Sequence, residues 1–276
     1  MASTDAALVA DDLRAAEALV AEAGWNQTAA DWRIFLDLGR AFAVKEAGRL
    51  AATAAILPYP SGFGWISMVL VSAPFRRRGI ATRLLERCIE SLRARGMVPV
   101  LDATPAGREV YRPLGFRDGW PITRWRRAKQ VSSTQQHSAV RLLEESDWPS
   151  VLALDAQAFG CTRAPLLDRL RARSRAFACV LPGKGFLLGR EGREATQLGP
   201  IVAADEDTAA ALAAFASARL EGPVILDALD RHRRFATRLG ELGFAVERPY
   251  TRMALERDEL FGDPCRSVAI AGPELG

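Results

Sequence analysis

Lysine is nearly missing from this sequence: only Lys45, Lys129 and Lys184 stand among 37 basic residues, and arginine supplies the rest. The net charge of +4 therefore reflects a preference for arginine rather than a basic face built for nucleic acid. No aromatic-rich RNA-binding signature or helix-turn-helix pattern accompanies it, so no nucleic-acid partner is expected. Cysteine and histidine are scarce too. Cys88, Cys161, Cys179 and Cys265 have no paired spacing, which argues against a disulfide framework and against a zinc site. His137 and His232 stand apart from other ligand types, so no metal is expected. No apolar run approaches 18 residues, and the opening MASTDAALVADD is acidic, so neither a membrane span nor a leader is expected and the chain reads as cytoplasmic. What remains is ordinary globular material: 276 residues, 49% hydrophobic and 25% charged, enough for two domains of modest size.

The clearest break in composition is the polar run from Arg127 to Ser138, which has no apolar periodicity and reads as a linker. It sets the expected domains at 1–128 and 139–256, with a linker over 129–138 and a tail over 257–276. Upstream, a short β-prone stretch at Ala7–Val9 precedes a helical pattern through Leu13, Ala16, Leu19, Val20 and Ala23, and a second helix begins at Thr28. Ala41–Lys45 and Leu50–Leu57 form a hairpin pattern, and Trp65–Val71 adds a third strand. Ile80, Leu84, Leu85, Cys88, Ile89 and Leu92 then mark one apolar face of an amphipathic helix that Gly96 stops. Val98–Leu101 reads as a buried strand, Thr104-Pro105 as a helix start, and Ile122–Trp125 as a last strand. The order predicts an α/β fold with a mixed sheet flanked by helices.

The second half repeats this plan. Leu101-Asp102-Ala103 followed by Leu114-Gly115-Phe116 answers Leu226-Asp227-Ala228 followed by Leu242-Gly243-Phe244, which points to internal duplication.

The chemically informative stretch runs from Val69 to Thr82. A strand feeds a loop of three arginines and a glycine, and the loop opens a helix. Cations at a helix N-terminus oppose the macrodipole by about 0.3–1 kcal/mol each. A bound polyanion resolves the conflict: free N–H groups, the positive end of the dipole and a glycine allowing close backbone approach make a phosphate cradle. The loop is neither a Walker A loop nor a Gly-x-Gly-x-x-Gly dinucleotide fingerprint.

Arg76-x-x-Gly79-x-Ala81 after an apolar strand, with Tyr111-Arg-Pro-Leu-Gly-Phe116 downstream, resembles the acetyl-CoA motif and the motif that follows it in the GNAT superfamily of N-acetyltransferases. The likeness covers most of residues 1–128, and the repeat extends a degenerate version over 139–256, as in tandem GNAT proteins. The resemblance implies acetyl-CoA as cosubstrate. The backbone of Val69, Leu70 and Val71 would pair with its pantetheine arm, and Arg76, Arg77, Arg78, Gly79, Ile80, Ala81 and Thr82 would surround its pyrophosphate. Thr104 stands where many members carry an asparagine that touches the cofactor. Tyr111 would be the general acid for the departing thiolate, and an N–H near Leu70 or Val71 would stabilise the oxyanion.

The acceptor implied is a primary amine, of a small molecule, attacking directly in a ternary complex. Alternatives from the same residues are a non-catalytic acyl-CoA-binding module and a protein-lysine acetyltransferase. Trp25, Asn26 and Trp32 lie in the helical segment that overhangs the acceptor side in the family, although a pair of tryptophans is more often core. Asp31 and Asp102 are candidates for the base, without a decision between base, cap and surface carboxylate. Cys88 sits on an apolar helix face and reads as core rather than as a nucleophile. In the second half the counterpart of the cradle, Leu198 to Asp207, is acidic, and Leu239 stands opposite Tyr111, so one cofactor site per chain is expected. The oligomeric state is left open.

Overall fold

A computed structural model describes residues 3–129 and 139–276; the expected linker falls almost wholly outside them. Two compact units emerge, one of residues 1–101 with Gly192–Glu194, the other of 102–191 with 195–276.

The first unit starts with β1 (Ser3–Ala7), α1 (Leu13–Glu22) and α2 (Ala29–Leu38). Next come β2 (Arg40–Glu46), β3 (Arg49–Tyr59) and β4 (Phe63–Val71), which with β1 form an antiparallel meander in sequence order. After α3 (Ile80–Arg93) the chain returns as β5 (Val98–Ala103), parallel to β4, the right arrangement for a crossover helix. The apolar face predicted for α3 is the buried one and covers β3 and β4. Thr28 opens α2 with a capping box: the Asp31 carboxylate accepts the Thr28 N–H at 2.8 Å and its hydroxyl at 3.0 Å.

The second unit holds α4 (Pro105–Tyr111), β6 (Phe116–Arg127), β7 (Arg141–Leu142), α5 (Trp148–Phe159), α6 (Ala164–Arg173), β8 (Cys179–Leu181), β9 (Gly185–Arg190), β10 (Thr196–Ala203), α7 (Glu206–Ser217), β11 (Val224–Leu229), α8 (Arg233–Glu241), β12 (Ala245–Leu255) and β13 (Ser267–Ala269). Its strands run β12-β6-β11-β13-β10-β9-β8-β7. The fold is thus the expected mixed α/β architecture, but β6, from the first half of the sequence, lies between β11 and β12 of the second, antiparallel to both.

Two buried ion pairs accompany this exchange. Arg124 of β6 donates to both oxygens of Asp227 at 2.7 and 2.8 Å, and Arg252 of β12 donates to both oxygens of Asp102 at 2.9 and 3.0 Å. The four residues occupy equivalent places in the two repeats, so each half supplies the arginine for the other half's aspartate. The compact division at residue 101 consequently does not follow the break in composition. Residues 257–276, expected as a tail, contribute β13 and a buried segment behind it. Among the described residues no helix is long and apolar enough to cross a membrane.

Candidate functional site

The cradle lies in the first unit. Gly79 is the N-cap of α3, with φ of 72°, and no side chain closes the helix start. The amides of Ile80, Ala81 and Thr82 have no acceptor within the helix, by helix geometry. A Cβ on Gly79 would project into open space, so the glycine is there for its left-handed backbone and for access to the amides above it. Ile80 is buried and pins the helix start to the core, while Arg76, Arg77, Arg78 and Gly79 are exposed.

The three arginines divide their roles. Arg76 is a brace: its Nε donates to the Val71 carbonyl at 2.9 Å and its Nη2 to Glu22 at 3.1 Å, and Glu22 also accepts from the Ser72 hydroxyl and the Ala73 N–H. Arg78 lies over the Phe75 ring at 5.6 Å. Neither Arg77 nor Arg78 enters an ion pair among the described residues, so two cations and the helix dipole face solvent without a balancing anion. That arrangement suits a phosphate.

The strand before the loop is shaped as well. The parallel register of β4 and β5 runs only from Phe63↔Val98 to Trp65↔Val100, although β4 continues to Val71. An extra residue in β4 shifts its register against β3, from Ala55↔Ser67 to Thr53↔Leu70. Met68 adopts φ of 54° at this bulge, and the buried Thr53 hydroxyl fixes it by donating to the Met68 carbonyl at 2.9 Å. Val69, Leu70 and Val71 thus lie beyond the β5 register, with the β5-facing edge of the strand open to another extended chain. The bulge was not legible in the sequence, because nothing in Ser67-Met-Val marks one.

The counterpart in the second half is closed. Asp205, the N-cap of α7, accepts the Thr208 N–H at 2.7 Å, and Glu206 and Asp207 add negative charge in the first turn. Accepting from Thr208 holds the Asp205 carboxyl below its usual range. Leu239, opposite Tyr111 in the repeat, is fully buried.

The remaining predicted residues are placed as follows. Tyr111 ends α4 in the second unit, half-buried, its ring 6.0 Å from that of Phe116. Beside it, Arg108 and Arg112 both donate to Asp118 and hold its carboxyl well below the usual range. Thr104 is the cap of α4, its hydroxyl accepting the Gly107 N–H at 3.2 Å. Trp32 is fully buried, edge-on to Phe35, so it belongs to the core and not to an acceptor surface. Asn26 is also buried; its carbonyl and side-chain oxygens accept the N–H groups of Arg193 and Glu194 in the Gly192–Glu194 segment. Trp25 keeps a half-exposed side chain.

Neither carboxylate considered as a base is available: Asp31 is engaged in its capping box and Asp102 with Arg252. Cys88 is core as expected, and burial pushes its thiol up to about 12. Among the described residues no cluster of three metal-ligating side chains occurs.

Residues 10–116 match the Acetyltransferase (GNAT) family model and residues 151–263 the Acetyltransferase (GNAT) domain model. YitH from Bacillus subtilis (strain 168), an uncharacterized N-acetyltransferase, is 26% identical over 184 residues, 65% of this chain and 65% of that protein, so under two thirds of the relative is covered. A putative acetyltransferase from Pyrococcus horikoshii matches with a TM-score of 0.83 at 18% identity, covering 99% of this chain and 96% of that one. A tandem GNAT protein from the clavulanic acid biosynthesis pathway matches with a TM-score of 0.62 at 13% identity, covering 94% of this chain and 100% of that one. The two matched segments, with an exposed phosphate-type cradle after a bulged strand in the first of them, make the chain a member of the GNAT superfamily with two GNAT domains in tandem.

Proposed function

We propose that the protein is an acetyl-CoA-dependent N-acetyltransferase that acetylates the primary amine of a small molecule and uses one cofactor site, in the first half. The observation that carries this reading is the contrast between the halves: the α3 start is uncapped and flanked by unpaired arginines, whereas the α7 start is sealed by its own carboxylate.

Acetyl-CoA, the family's cosubstrate, supplies an acetyl group activated as a thioester. In this reading the amides of Ile80, Ala81 and Thr82, with Arg77 and Arg78, bind the pyrophosphate, and Arg76 holds the loop to the end of β4. The open edge of Val69–Val71 orients the pantetheine arm, and an N–H near Leu70 or Val71 donates to the carbonyl oxygen as it gains charge. Tyr111, at the family's general-acid position, holds a proton on a phenol, a group with an ordinary pKa near 10, for the departing sulfur. Direct attack by the amine fits the chemistry of Cys88, whose buried thiol stays protonated at neutral pH. A lysine-like amine is only about 0.1% neutral at pH 7, so its proton leaves through a group other than Asp31 and Asp102. Trp25 is kept as an acceptor contact.

Calorimetric titration with acetyl-CoA tests the reading. One site per chain is expected, lost in Arg77→Ala/Arg78→Ala; no binding by the folded wild type would overturn it. On an amine panel, Tyr111→Phe is expected to lower kcat about 10²-fold or more while sparing acetyl-CoA affinity. An unchanged kcat would remove Tyr111 from the chemistry, and binding without turnover of any amine would favour a binding module.

A further inference from the structure

In the second half, β10 and β11 run parallel from Thr196↔Val224 to Leu198↔Leu226 and then part, as β4 and β5 do after Trp65↔Val100. A register shift in β10 falls at the parting, between Leu198 and Ile201, as the shift in β4 does. Here the gap is filled by the chain's own last residues. Ala269 of β13 stands opposite both Ile201 of β10 and Ala228 of β11, antiparallel to each, and the Ile270 N–H donates to the Asp227 carbonyl at 3.0 Å.

The filling is tailored. Val268, Ala269, Ala271 and Leu275 are at most 1% exposed. Arg190 donates to the Ala271 carbonyl and to Glu274, and Arg163, paired with Asp155, donates to the Gly276 carbonyl at 2.6 Å. Gly199 faces the Ile270 carbonyl so closely that a Cβ would lie 2.0 Å from its oxygen.

We infer that residues 267–276 are a built-in occupant of the second half's strand slot, standing where a pantetheine arm would pair. The inference rests on the reading that the first half's slot takes such an arm. A pantetheine arm carries two amide groups along an extended chain, so it pairs with a strand edge much as a peptide does. The second half is then closed twice: its slot by its own strand, its helix start by Asp205.

A chain ending at Arg266 tests this with a labelled peptide of residues 267–276. Uptake of one peptide per chain, displaced by millimolar pantetheine, is expected. A folded shortened chain that takes up no peptide, or a bound peptide that pantetheine leaves in place, would overturn the inference. Should the shortened chain not fold, the full chain is cut after folding at a protease site engineered into the exposed stretch 256–259. Release of the fragment by pantetheine then supports the inference and its retention overturns it. Titration of the uncut full chain with acetyl-CoA reports separately on the first half, since failure there leaves the peptide competition untouched.

Discussion

Cys88 shows how burial decides chemistry at the scale of one residue. A thiol with its pKa pushed up to about 12 supplies almost no thiolate at neutral pH, and the thiolate is the nucleophile. Cys88→Ala is therefore expected to fold and to keep its acetyl transfer rate within about twofold, read as kcat on whichever amine the panel yields; loss of turnover in a folded variant would reopen an acyl-cysteine route. The sequence placed Cys88 correctly because the i, i+4 spacing of the α3 face identifies core without reference to anything distant. It left Trp32 between core and acceptor surface because an aromatic side chain reads the same whether it faces a core or a cleft, and it gave no sign of the Asn26 partner, the Gly192–Glu194 segment, more than 160 positions away.

At the scale of elements, the starts of α3 and α7 are one structural position with opposite electrostatics. The α7 start depends on Asp205, and Asp205→Ala is expected to cost about 1 kcal/mol, a typical cap contribution. The sign of its pH dependence follows from the lowered folded-state pKa: the carboxylate stabilises above its unfolded value near 4, and that stability is lost as pH falls through the folded value. Denaturant midpoints of wild type and variant should differ at pH 7, begin to close near pH 4 and converge only below the lowered folded-state value. Gly199 makes the parallel point for β10: Gly199→Ala, with φ of 143° and Ile270 in the way, is expected to expel β13 and to raise the exchange rate of the Ile270 amide at least tenfold. An unchanged exchange rate would show that β10 accommodates the methyl group without releasing the strand.

The second unit is organised by the insertion of β6 between β11 and β12, with two buried ion pairs beside it. Removing one member of such a pair leaves an uncompensated charge, at about 3–5 kcal/mol. Asp227→Leu strands both Arg124 and the Gln197 amide, which donates to Asp227 at 2.9 Å, and is expected to lower the denaturant midpoint sharply. Arg124→Met/Asp227→Leu should recover much of that loss, since an apolar replacement of a buried pair is often close to neutral. A double variant as unstable as the single one would show that the pair holds the exchanged strand in place by more than charge balance.

The sequence by itself determined the α/β class, the repeat and most helices and strands of the first half, and it pointed to a cradle, because periodicity, caps and the clash between three arginines and a helix dipole are all local signals. Only the tertiary structure decided that β6 joins strands of the second half, that Arg124 serves Asp227 and Arg252 serves Asp102, and that residues 267–276 pack as a strand and a buried segment rather than trail as a tail. Those outcomes depend on pairings between residues more than 40 positions apart, where alternation of apolar and polar residues is the same for every candidate neighbour. The repeat did carry a trace of the exchange, since an aspartate and an arginine recur at matching places in both halves, but that pattern fits pairing within a half as well as between halves. Burial of both carboxylates settles the choice: a charge out of water requires the guanidinium that the folded chain brings within hydrogen-bond distance.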